Sequence, residues 1–206
     1  MIKMALFIDQ LTGQLIVMAA GFITIAYGLL RTFTIHSELT KYKQAIEAQY
    51  LPLLVIGIYI SITGFYGLMA WPLPGSYNIL FYDLYPLLGL GLIMIALGVK
   101  NGYRLEHLGF LGILLGIVTM YYGAEGYLKN MTEEPAALLV LYVLTGLSAM
   151  LFYPVSMFID NGNPKLKIFL LIDAILLILT GIVAGYIGLV AVPDHLSTFS
   201  KWVPFI

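Results

Sequence analysis

An all-α bundle of six membrane-crossing helices is the fold this sequence predicts, and three observations predict it. Of 206 residues, 61% are hydrophobic and only 10% charged, whereas roughly a quarter of a soluble domain is charged. The apolar residues fall into six runs, each near the ~20 residues that a helix needs to cross a bilayer. The charges gather between those runs. With a mean hydropathy of +0.95, the chain is expected to form a single transmembrane domain over residues 1–206, with short connections.

The runs are 11–30, 51–69, 81–99, 107–122, 136–158 and 168–190. A segment in lipid has to satisfy its own backbone hydrogen bonds, so each run reads as a helix. The first is longer than a signal-peptide core and is stopped by Arg31, which marks it as a retained span. The fourth is the weakest, because Gly109, Gly112 and Gly116 lower its hydropathy. Orientation follows from the lysines and arginines of the short connections. One side carries Arg31, Lys41, Lys43, Lys100, Arg104, Lys165 and Lys167; the other carries Lys3, Lys129 and Lys201. Seven against three places both termini outside the cell membrane.

Between the first two runs, Ile35, Leu39, Tyr42, Ile46 and Tyr50 recur at helical spacing, with Lys41, Lys43 and Glu47 elsewhere on the wheel. This predicts a short amphipathic helix at the inner interface. Leu196, Phe199, Trp202 and Val203 suggest a similar outer segment. Most of the 15 tyrosines fit an aromatic belt at the membrane boundary.

The two halves share a series of matches: Gly21/Gly116, Tyr27/Tyr122, Ser61/Ser148, Tyr66/Tyr153, Asp83/Asp173 and Gly91/Gly181. Three helices per half would enter the membrane from opposite sides. The series therefore predicts an inverted repeat, residues 1–99 against 100–206, with a transport site at its interface. Abundant glycine and tyrosine could produce the same series by coincidence. Gly112 with Gly116, and Gly181 with Gly185, put small residues on one helix face, where ordinary close packing accounts for them.

Several chemistries are excluded. The net charge of −1 gives no basic field for nucleic acid. The absence of cysteine removes disulfides, thiolate metal sites and dithiol redox chemistry. No lysine or arginine lies deep in a run, which argues against a Schiff-base cofactor and a buried anion site. His36, His107 and His195 form no mid-membrane pair for haem, and there is no HExxH motif. No cofactor is expected, and the bilayer is the expected partner. A homo-oligomer, a partner subunit and any metal are left open.

What remains is acidic. Asp173 sits inside the sixth run among Leu170, Leu171, Ile172 and Ile175. A mid-span aspartate costs about 2.5–3.5 kcal/mol on insertion scales and so faces the bundle interior. Without a basic partner it is expected to carry protons. Asp83 opens the third run. Both acids also suit a helix N-terminus, where the macrodipole favours a carboxylate. Asp173, Asp83, Tyr66 and Tyr153 are thus the transport candidates. Asp9, Glu125, Glu133, Glu134 and Asp194 form an outer acidic group that reads as a solvated rim or a cation site.

The most distinctive stretch is Trp71-Pro72-Leu73-Pro74-Gly75-Ser76-Tyr77-Asn78-Ile79-Leu80-Phe81, followed by Asp83, after a second run ending in Phe65-Tyr66-Gly67. Two prolines and a glycine make a tight, rigid outer loop, for which Trp71 and Tyr77 are the expected anchors. Together with Asp9 and Glu125 they are the outer-face binding candidates. This stretch resembles domain-of-unknown-function family nine hundred and eighty-one. The resemblance implies a multi-span membrane protein of archaea or bacteria. It implies no activity and transfers no functional residue. The leading expectation is a small transporter or channel for a cation, proton or neutral solute. The alternatives are a non-catalytic membrane subunit using the outer loop, and a membrane enzyme with an outer acidic site.

Overall fold

A computed structural model describes residues 10–35 and 39–197. The described residues form only helices: α1 (Gln10–Phe33), α2 (Leu39–Glu47), α3 (Tyr50–Ala70), α4 (Ser76–Tyr82), α5 (Tyr85–Asn101), α6 (Glu106–Leu128), α7 (Pro135–Asn161) and α8 (Ile168–Ser197), with a 3-10 turn at Pro164–Leu166 before α8. Six stretches are long and apolar enough to cross a membrane: α1, α3, α4 with α5, α6, α7 and α8. Large apolar side chains such as Ile62, Leu114, Ile182 and Leu189 point outward from all sides of the assembly. Such a surface is far too apolar for water. The chain is an integral, multi-pass membrane protein.

Local chemistry sets the helix ends. Gly102 (φ 71°) and Gly162 (φ 66°) terminate α5 and α7 in the left-handed conformation that glycine adopts without strain. The third span begins earlier than the hydropathy suggests, at Ser76, and is interrupted at Asp83 and Leu84. Pro86 explains the break: with no N–H, it cannot bond the Tyr82 carbonyl. Asp160, on α7, accepts hydrogen bonds from the Leu105 and Glu106 amides at 2.9–3.1 Å, so a carboxylate near the end of α7 caps the start of α6.

The spans pack as a ring in chain order. α1 lies on α3, α3 on α5, α6 on α7, α7 on α8, and α8 returns along α1. Only α5 and α6 barely touch, although residues 102–105 alone connect them. The face where α1 begins and α8 ends is called the terminal face below; α2 lies at the opposite face. There Ile46 is buried, and Tyr42 meets Phe158 of α7 edge-on with ring centroids 5.1 Å apart. The amphipathic segment is thus a helix that closes one end of the ring.

The ring order does not confirm the inverted repeat and argues against it. A two-fold axis in the membrane plane reverses the sense in which helices circulate, seen from one face. Here the first three spans circulate in the same sense as the last three. An axis along the membrane normal keeps the sense but cannot exchange helices that run in opposite directions. The packing is unequal too: α1 lies along α8, while their would-be counterparts α6 and α5 hardly meet. The matched glycines therefore have local explanations. A Cβ at Gly116 would stand 2.5 Å from the Gly146 carbonyl of α7, and one at Gly181 3.1 Å from the Ala19 carbonyl of α1.

Candidate site in a cavity within the helix ring

The ring encloses a cavity of about 230 Å³, walled mainly by leucine, methionine and phenylalanine side chains from α1, α5, α6 and α7. A smaller cavity of about 60 Å³ lies toward the α2 face, among Ile46, Gln49, Val99 and Ile159. Asp173 borders both. It is 3% exposed, and its Oδ1 accepts a hydrogen bond from the Ser148 hydroxyl at 2.5 Å. The sequence logic is simple: an aspartate one and a half turns into an apolar helix has to turn away from lipid, and α7 supplies a hydroxyl opposite it. No lysine, arginine or histidine lines either cavity among the described residues.

Other polar groups at the larger cavity are mostly engaged. The hydroxyls of Thr119 and Thr145 donate to the Leu115 and Leu141 carbonyls of their own helices, at 2.8 and 2.7 Å. Tyr85 donates to the Gln14 carbonyl at 3.2 Å, and Tyr142 to the Leu80 carbonyl at 2.6 Å. The side-chain amide of Gln14 and the Tyr82 hydroxyl are buried beside each other, without a hydrogen bond of good geometry to either among the described residues. Buried polar atoms left unpaired cost about 1–3 kcal/mol each, so this corner is a second polar feature toward the terminal face.

Asp83 is apart from Asp173 and borders neither cavity. Its Oδ2 accepts a hydrogen bond from Tyr122 of α6 at 2.8 Å. The contact ties the break between α4 and α5 to α6 near the terminal face. Tyr66 is half exposed on the outside of the ring, and Tyr153 packs on Phe110. Neither borders a cavity.

The outer-face candidates do not converge. Trp71 is half exposed and ends α3 in the left-handed region (φ 50°). The loop is fixed instead by Asn78, which is fully buried: its amide nitrogen donates to the Gly67 carbonyl at 3.1 Å and its oxygen accepts from the Leu73 amide at 3.3 Å. Tyr77 stands beside Phe81. Glu125 pairs with Lys129 at the exposed rim, which holds the ammonium above its ordinary pKa range. Glu134 accepts a 3.4 Å contact from Tyr186. Asp9, and Phe199, Trp202 and Val203 of the expected C-terminal segment, lie outside the described residues, as does the side chain of Asp194. Among the described residues, no three acidic or histidine side chains gather to hold a metal ion.

Sequence reasoning passed over Gln14, Gln49 and Asp160. A glutamine inside an apolar run was the available signal for Gln14. Nothing local distinguishes Asp160, because its partner amides come from residues 55 and 54 positions away in sequence.

A family model described as "Protein of unknown function (DUF981)" matches residues 4–198, and the chain belongs to that family. No curated protein and no solved structure matches the chain.

Proposed function

Since the family supplies no activity, we propose from the geometry that this is a small membrane transport protein in which Asp173 binds a proton or a cationic group. The carrying observation is that one buried carboxylate borders two cavities that follow one another across the bundle. A carboxylate in so apolar a place cannot stand as a bare anion. Among the described residues the hydrogen bond to Asp173 comes from the Ser148 hydroxyl, which carries no charge, so a proton or a cation is needed to neutralise it. A cargo does that, and Phe152, Ile95 and Ile25, which also border both cavities, separate its two stations. A purely scaffolding subunit would have no need of a carboxylate shared by two cavities.

The test is flux in proteoliposomes loaded with a pH-sensitive dye and given a pH gradient. Wild type should relax the gradient faster than empty liposomes, and Asp173→Asn should bring the rate to background while the protein still elutes as one species. Equal rates for wild type and variant would refute the reading. We further propose that both termini face outside. Seven described cations, Arg31, Lys41, Lys43, Lys100, Arg104, Lys165 and Lys167, lie toward the α2 face. Reporters fused after Lys43, Arg104 and Lys167 should then all read cytoplasmic, and an outside signal from any of them would reverse the orientation.

A further inference from the structure

We propose that the cargo is a lipophilic organic cation, and that it reaches Asp173 sideways from the bilayer, through the seam between α5 and α6. This rests on the reading of Asp173 as a cargo site and adds to it a substrate class and a route.

The route follows from the ring. At five of its six seams the backbones approach closely, and at the sixth, between α5 and α6, they stand apart. The larger cavity runs out to that seam: Leu87 and Met94 of α5 and Leu111 of α6 border it, and all three are exposed. The mouth therefore opens within the apolar layer. It is bounded at one end by the short connection 102–105 and at the other by the Tyr122–Asp83 hydrogen bond. A solute arriving through it has to be soluble in hydrocarbon.

The substrate class follows from the walls. A dry apolar cavity of ~150 Å³ accommodates benzene, so one of about 230 Å³ takes a body somewhat larger than a single aromatic ring. Beyond Asp173, the titratable groups facing this space are Tyr85 from α5 and Tyr142 from α7; α1, α6 and α2 contribute none to either cavity. The threonine hydroxyls are committed to their own helices. One unopposed carboxylate in an apolar chamber complements one positive charge on an apolar body. A neutral amphiphile would leave the carboxylate without its counter-charge, and an anion would be repelled.

The experiment uses the full chain in detergent, with benzyltrimethylammonium as probe and neopentylbenzene, its uncharged isostere, as control. Binding is followed by saturation-transfer NMR titration. Wild type should bind the cation saturably and roughly tenfold or more tightly than the isostere, as expected when a buried charge meets its counter-charge. Asp173→Asn should lose that preference and Asp173→Glu should retain it, which separates charge from misfolding. Leu111→Trp, which puts an indole at the mouth, should slow binding. Equal binding of cation and isostere, or undiminished preference in Asp173→Asn, would overturn the proposal and leave an apolar chamber that fills with lipid tails. If the cation fails to bind while Asp173-dependent proton flux persists, this inference falls and the transport reading stands. If folded protein shows neither, both fall.

Discussion

Along α6, the edge facing α7 carries Gly109, Gly112, Gly116 and Gly123, whereas the neighbouring edge of Leu108, Leu111 and Leu115 borders the cavity, which Gly112 also touches. The two rows repeat at the same helical spacing, one position apart. At the glycine row the backbones close on each other: a Cβ at Gly116 would stand 2.5 Å from the Gly146 carbonyl, and one at Gly146 2.6 Å from the Gly116 carbonyl. At the leucine row α6 scarcely meets α5, its nearest neighbour in the chain. In lipid there is no hydrophobic force to press helices together, so contact depends on close backbone approach. Two seams of one helix thus differ because one presents hydrogen atoms and the other isobutyl groups. Proximity in sequence does not decide which seam closes.

The largest effect should come from breaking the closed seam. Gly116→Leu drives a side chain into the Gly146 carbonyl, and overpacking of this kind costs about 3 kcal/mol. The midpoint of unfolding in a denaturing detergent should fall accordingly, and an unchanged midpoint would deny the seam its structural role. Next comes the tie that spans the open seam. Tyr122→Phe removes a hydrogen bond to the Asp83 carboxylate, worth about 2 kcal/mol for a charged acceptor. Because the chain has no cysteine, a Met94→Cys, Leu111→Cys pair reports on the mouth without background. Bismaleimide cross-linking of that pair should change in rate when Tyr122→Phe is added, and an identical rate would mean that the tie does not control the opening.

Asp160→Ala removes the carboxylate by which α7 caps α6 at the far end of the closed seam. Loss of such a cap costs about 1 kcal/mol, measurable in the same unfolding assay. The smallest effect on stability belongs to the open seam: a Cβ at Gly91 meets nothing within 4 Å, so Gly91→Leu should shift stability by no more than about 0.5 kcal/mol. It should nevertheless weaken benzyltrimethylammonium binding, because Gly91 borders the cavity. A destabilisation rivalling that of Gly116→Leu would erase the contrast between the seams.

How much was legible in the sequence depends on the range of the forces involved. The six runs, the amphipathic helix before the second span and the inward turn of Asp173 were readable. Each is a one-dimensional consequence of moving polar groups out of hydrocarbon. The rigid loop 71–78 was readable from Pro72, Pro74 and Gly75, but its anchor was not: Asn78 had no local mark to set it above Trp71, and it bonds the Gly67 carbonyl 11 residues back. The matches between halves were real as letters, yet the ring order does not confirm the symmetry they suggested. Abundant glycine and tyrosine repeat readily, while the order of helices around a ring depends on which faces pack.

By itself the sequence determined the solvent of this protein, its number of spans, and the one acid that lipid forbids to face outward. Those outcomes depend on transfer free energies, which add residue by residue. Only the tertiary structure decided that Asp173 meets Ser148, that two cavities share it, that Asp83 at the α4–α5 break instead ties the third span to α6 through Tyr122, and that one seam in six stays open. Those outcomes depend on contacts between helices, where a difference of one side chain between adjacent rows of α6 separates a closed seam from a doorway.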